Sequence, residues 1–275
     1  MITLFEDFES EHYIATEDDF NFVEPGDVLI AKCDIYITKK KHKHYSTKSK
    51  TSIVIDKNKY PVTGIDISNH TGNINFEEVK KKNIDFVYMK ATEGFDFIDN
   101  RFETNYSNVR KHNIPVGFYH FFRFDVGGKN QAYNFLRVIE GKYFELPLVL
   151  DIEEWSNNKK ANKDSIVKEI DLFIDEINRV KKGEVIIYTN KSSFEKYIRG
   201  NFKNNVWLCS FKPISTEWTL WQHSHKTRIP GAQGWVDMNT FNGTRGDWNR
   251  YLNNFTMSVF NINQYLKLRE ILVKY

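Results

Sequence analysis

The chain has 275 residues, a formal charge of +3 and 15% aromatic residues. That length suits one large α/β barrel, or one domain with a small appendage. Near-balanced charge does not point to nucleic acid, and no apolar run reaches the length of a membrane span. The cysteines, Cys33 and Cys209, lie far apart and fit neither a disulfide framework nor a metal-binding spacing. Two free thiols are expected.

Residues 1–59 differ in character from the rest of the chain. The first thirty are acidic, without Lys or Arg, and lack a positive stretch leading into an apolar one. With Met1 as the native start, the usual secretory route is not encoded. Residues 26–31, 34–37 and 52–55 read as short strands, with a basic turn over 39–44. We expect a small β-rich segment of unknown role. Its Lys/His run fits a solvated hairpin tip better than a contact for an anionic polymer.

From Val62 the chain alternates. Strands are expected at 62–68, 86–91, 116–122, 148–152, 185–189, 206–210, 219–223 and 236–241. Helical patterns fall at 101–111, 129–140, 165–181 and 192–199, with Asp164 as an N-cap and Gly141 and Gly183 as stops. Repeated βα units with apolar strands indicate a parallel sheet, and about eight strands indicate a closed barrel. The later connections are too short for full helices. The expectation is an irregular (β/α) barrel of the TIM type over 60–253, with incomplete final helices. Arg245-Gly246-Asp247 reads as a turn before a helix. Residues 254–275 form a tail with one more amphipathic helix at 262–274.

Acids cluster at strand ends. Leu148-Val149-Leu150-Asp151-Ile152-Glu153 is an apolar strand closing on two carboxylates. Two apart, they point the same way in an extended chain, about 6.6 Å apart at the backbone. Asp66 sits in Gly64-Ile65-Asp66-Ile67-Ser68, Glu93 comes after Lys90-Ala91-Thr92, and Asp237 sits in Val236-Asp237-Met238-Asn239. Barrel sites form at the carboxyl face, where these ends converge. Tyr119, Tyr188, Trp207 and Trp221 fall in or near strands and offer aromatic walls, though core packing is the commoner role. His120, His223 and His225 show no zinc spacing, and neither a nucleophile elbow nor a phosphate loop occurs. Carboxylate acid–base chemistry remains, which points to glycoside hydrolysis.

These motifs, with Gly117-Phe118-Tyr119-His120-Phe121 and Trp221-Gln222, resemble the glycoside hydrolase family 25 lysozymes, the Chalaropsis-type N-acetylmuramidases. The resemblance runs from about Val62 to Tyr251. It implies cleavage of the β-1,4 bond between N-acetylmuramic acid and N-acetylglucosamine in bacterial peptidoglycan, with no cofactor or metal. It implies Glu153 as proton donor, Asp151 and Asp66 as further catalytic acids, and Glu93 and Asp237 in the groove; with the aromatic walls Tyr119, Tyr188 and Trp221, these last two are the expected substrate contacts. A monomer acting at the bacterial wall, released by a phage holin or a dedicated secretion machine, is expected. Two alternatives stay open: a wall-binding protein without turnover, and another barrel glycosidase such as a chitinase. The longer acidic run of chitinases is absent, since Leu146 and Val149 stand at its earlier Asp positions.

Overall fold

The structure, a computed structural model, describes residues 55–157, 161–180, 185–212, 214 and 216–254, and the backbone of three strands before them. Those strands are β1 (His12–Ala15), β2 (Asp34–Lys39) and β3 (Lys43–Thr47). β1 pairs parallel with β2, and β2 pairs antiparallel with β3. β2 covers the strand expected at 34–37, and Lys43 and His44 of the expected basic turn belong to β3. Residues 26–31 and 52–54 lie outside the described residues, and Ile55 is not in a strand.

A second sheet closes on itself. Its strands are β4 (Thr63–Ile67), β5 (Phe86–Glu93), β7 (Val116–Phe121), β8 (Val149–Ile152), β9 (Ile186–Asn190), β10 (Val206–Cys209), β11 (Leu220–Thr227) and β12 (Val236–Phe241). A short β6 (Phe97–Ile98) folds back on β5. From β4 through β11 neighbours pair parallel, as expected. The last strand departs from the all-parallel expectation. β12 runs antiparallel to both β11 and β4 and completes the ring. The reason is reach: only residues 228–235 join β11 to β12, and a parallel return needs a crossover of roughly a dozen residues or more.

Helices cover the outside where the connections allow. They are α1 (Phe76–Lys80), α2 (Phe102–Arg110), α3 (Gly128–Ile139), α4 (Lys163–Val180), α5 (Lys191–Ser193) with a π-helical turn over Phe194–Ile198, and α6 (Arg245–Asn254). α4 buries Ile166, Ile170, Phe173, Ile174 and Ile177, one stripe at helical spacing. Its cap is Asn162, whose Oδ1 accepts the Ser165 N–H at 3.1 Å; Asp164 sits inside the first turn instead. Gly141, at φ +69°, stands just past the end of α3 as expected, and Gly183 lies outside the described residues. Arg245, Gly246 and Asp247 form the first turn of α6 rather than a turn before it. The helix expected at 262–274 lies outside the described residues.

Strand alternation builds two cores. Ile65, Val87, Met89, Phe118, Leu150 and Ile187 pack outward against the helices. Phe86, Tyr88, Val149, Ile186, Tyr188 and Trp207 fill the barrel interior. Gly64 and Gly117 make room for these rings: a Cβ there would sit 2.2 Å from Phe86 and 2.3 Å from Tyr88. By compactness the chain divides into residues 1–57 with 211–214, and residues 58–210 with 215–275.

Candidate active site

The same alternation selects which acids face inward. In β8, Leu150 and Ile152 go to the outer core and Val149 to the inner one, so Asp151 and Glu153 share the side of Val149. In β4, Ile65 and Ile67 face out, which turns Asp66 in. Antiparallel β12 then sets Asp237 opposite Asp66. Together they line a cavity of about 160 Å³ at the carboxyl ends of the early strands. Tyr119, Tyr188 and Trp207 complete the set of predicted residues on its wall.

Two predicted residues stand elsewhere. Glu93 is held by Lys90 Nζ at 2.7 Å and Arg123 Nη1 at 3.3 Å, and it is Lys90 that lines the cavity. Trp221 is buried, with its Nε1 donating to the Ser210 carbonyl at 2.7 Å. Among the histidines, His120 faces the helix layer, against Phe135 and Phe173. Gln131 Nε2 donates to two carbonyls, so its Oε1 accepts from His120 Nε2 at 3.1 Å. That makes Nδ1 the acceptor for the Thr92 hydroxyl at 2.7 Å. Burial holds this neutral imidazole down, with a pKa of about 3.

Asp151 and Glu153 behave as one unit. Burial raises both above the usual carboxylate range, Asp151 strongly. Mutual repulsion adds to the rise at Asp151, while hydrogen bonds from Tyr188 and Asp151 partly offset it at Glu153. Such a pair loses its protons one at a time, so one is retained well above the range where a solvated acid is ionised. Asp151 Oδ1 is buried without a hydrogen-bond partner. A buried acceptor left open beside a cavity is set to receive a donor from whatever enters it.

Asp66 is also raised by burial, against the pull of its donors. Asn239 Nδ2 donates to Asp66 Oδ2 at 2.7 Å, and Gln222 Nε2 to the same oxygen at 3.0 Å. Gln222 Nε2 also reaches Asp237 Oδ2 at 3.3 Å. The amides are oriented from behind. The Tyr188 hydroxyl donates to Gln222 Oε1 at 2.8 Å, and Trp207 Nε1 to Asn239 Oδ1 at 2.8 Å. Sequence reasoning gave Gln222 and Asn239 no role. The available signal was an amide at an inward position of an apolar strand, which must find buried partners.

The turn after Glu153 is tightly specified. Asn157 N–H closes it on the Glu154 carbonyl at 3.1 Å, with Ser156 at φ +60°. A non-glycine residue there costs on the order of 1–2 kcal/mol. Trp155, at its tip, lines the cavity and was not anticipated.

The chain is similar to known proteins. The family model described as glycosyl hydrolases family 25 matches residues 65–232. Lysozyme M1 of Streptomyces globisporus is 30% identical over 203 residues, covering 66% of this chain and 68% of that protein. A family 25 glycosyl hydrolase from Bacillus anthracis superposes with a TM-score of 0.67 at 29% identity, over 73% of this chain and 96% of that one. A bacterial lysozyme from Streptomyces coelicolor gives 0.62 at 32% identity, over 71% and 98%. With buried carboxylates converging on one barrel mouth and a family match across most of that barrel, the chain belongs to the glycosyl hydrolases of family 25.

Proposed function

We propose that the chain is a muramidase that cleaves the β-1,4 bond between N-acetylmuramic acid and N-acetylglucosamine in bacterial peptidoglycan, with Glu153 as proton donor. The observation that carries this reading is the pairing of buried Asp151 with half-buried Glu153 on the wall of an open cavity. A general acid must still hold its proton at working pH, and burial beside a second carboxyl group supplies that. Glu153 gives its proton to the bridging oxygen as the glycosidic bond breaks. Asp151 then carries negative charge beside the developing sugar cation, its open Oδ1 accepts the N–H of the neighbouring acetamide, and water forms the new bond to that carbon while its proton returns to Glu153. Asp66 and Asp237, oriented through Gln222, extend the acidic wall.

The enzyme acts on the wall as a monomer and needs no cofactor for this chemistry. Among the described residues no helix is long and apolar enough to cross a membrane. The deciding experiment is mass spectrometry of fragments from a defined peptidoglycan. Reducing-end muramic acid is expected. Reducing-end glucosamine would mark a different glycosidase. Binding to walls without loss of turbidity would mark a non-catalytic protein.

A further inference from the structure

The turn just beyond Glu153 displays a tryptophan. Trp155 lines the cavity, yet 70% of it is exposed. Leaving so much aromatic surface in water forgoes burial that nearby apolar groups could provide. The backbone around it is nonetheless held from several sides. Asn157 Nδ2 donates to the Glu153 carbonyl at 2.8 Å and to the Phe122 carbonyl at 2.9 Å, and its Oδ1 accepts the Phe124 N–H at 2.9 Å. Glu154 accepts the Tyr197 hydroxyl at 2.9 Å and pairs with Lys196 at 2.5 Å. Ser156 takes a left-handed conformation to complete the turn. An exposed ring is thus fixed beside the carboxylates by a clamped, strained turn, which is how a binding platform is built.

Trp155 is one end of a strip. Its ring meets Phe121 edge-on, with centroids 6.4 Å apart, and Phe121 is the register partner of Asp151. Lys90 Nζ lies 5.0 Å from the Phe121 ring and 5.5 Å from the Phe97 ring. Phe97, on β6, is 44% exposed, and Asn134 Nδ2 holds its carbonyl at 3.2 Å. The strip therefore runs from an exposed ring on β6, past the Asp151–Glu153 pair, to an exposed ring on the turn after β8.

We propose that this strip carries the glycan strand on both sides of the bond to be cut, with a sugar ring stacked on Trp155 and Phe97 engaging a ring farther along. This rests on the muramidase reading. Pyranose rings in β-1,4 linkage present flat C–H faces that an aromatic ring covers, while their equatorial hydroxyls stay in water. One rigid ring beside the acid also fixes the scissile oxygen against Glu153, so part of the binding is realised as positioning.

The test uses soluble peptide-free glycan strands and the full chain. Trp155→Ala should raise KM roughly tenfold, the equivalent of losing about 1.4 kcal/mol of binding, with kcat falling less. Trp155→Phe, which keeps a ring, should recover most of that loss. Phe97→Ala should cost more on long strands than on short ones. Binding is read separately in Glu153→Gln, where titrated strands should shift tryptophan emission and where adding Trp155→Phe should remove the shift. That second measurement decides the matter should Trp155→Ala melt early. A folded Trp155→Ala with wild-type KM, or Trp155→Phe as impaired as Trp155→Ala, would overturn the strip alone. Strands that bind Glu153→Gln but are not cut by the wild-type chain would overturn the muramidase reading and leave the strip standing.

Discussion

Buried Asp151 and half-buried Glu153, two residues apart at the end of β8, form one hydrogen-bonded carboxyl pair, and Asp151 Oδ1 has no partner. Neither group is at its ordinary pKa, and neither can be altered without disturbing the other.

Glu153→Gln should therefore remove the acid while keeping the shape. Lysis of purified walls should fall by roughly 10²–10⁴-fold, the usual worth of a positioned general acid. Thermal melting should be unchanged or slightly raised. A folded variant that keeps more than about a tenth of the rate would exclude Glu153 as donor.

Asp151→Asn should also be severely impaired, and it tests the coupling through pH. The last proton of the pair is held by repulsion from the carboxylate that ionises first, so with Asp151 removed Glu153 titrates alone and ionises earlier. The high-pH limb of the activity profile should move to lower pH. The same variant should melt higher than the wild type at neutral pH. Asp151 has a folded pKa above its unfolded value, so it binds more protons folded than unfolded, and its contribution falls as pH rises between the two. The difference in melting should close below the unfolded value, near about 3.9. An unmoved limb together with an undiminished rate would disprove the coupling.

His120 makes the opposite contribution. Its folded pKa, about 3, lies below the ordinary histidine value. Between that value and about 6.5 the unfolded chain takes up a proton that the folded chain refuses. Stability should fall as pH drops through this window, by at most about 1.4 kcal/mol per pH unit from this one group. His120→Gln should be less stable at neutral pH, having disturbed the contacts to Thr92 and Gln131, but should show a shallower slope toward acid. Chemical denaturation at a series of pH values measures both. An unchanged slope would remove His120 as the source.

A chain shortened to begin at Asn58 probes the segment that precedes the barrel. The division by compactness falls between Lys57 and Asn58. The shortened protein should fold and cut soluble glycan fragments. On intact walls the full chain should be faster if residues 1–57 add local concentration. Insoluble or unstable product would mean that the segment serves the fold, and equal rates on walls would deny it a targeting role.

Much of the barrel was readable in advance because its signals are local. Apolar runs marked each of its eight main strands, and period-two alternation already turned Asp151 and Glu153 to one side. What escaped depends on partners distant in sequence. The direction of β12 is set by a short connection and by the gap it must fill between β11 and β4. Glu93 carries an acid at a strand end, yet Lys90 and Arg123 claim it. Gln222 and Asn239 gain their meaning only when closure brings them to Asp66, 156 and 173 residues away. Trp155 escaped because a single exposed ring has no periodicity to betray it.

The antiparallel closing strand also orders events in time. During synthesis β4 emerges early and β12 last among the barrel strands. Until residues 236–241 have left the ribosome, β4 and β11 each keep an open edge where β12 will pair. Asp66 meanwhile lacks Asn239, and Asp237 does not yet exist. The nascent chain thus holds Asp151 and Glu153 long before the barrel that buries them can close. A chain of such long-range pairings is expected to fold slowly and to become an enzyme in one late step, when its first and last strands meet.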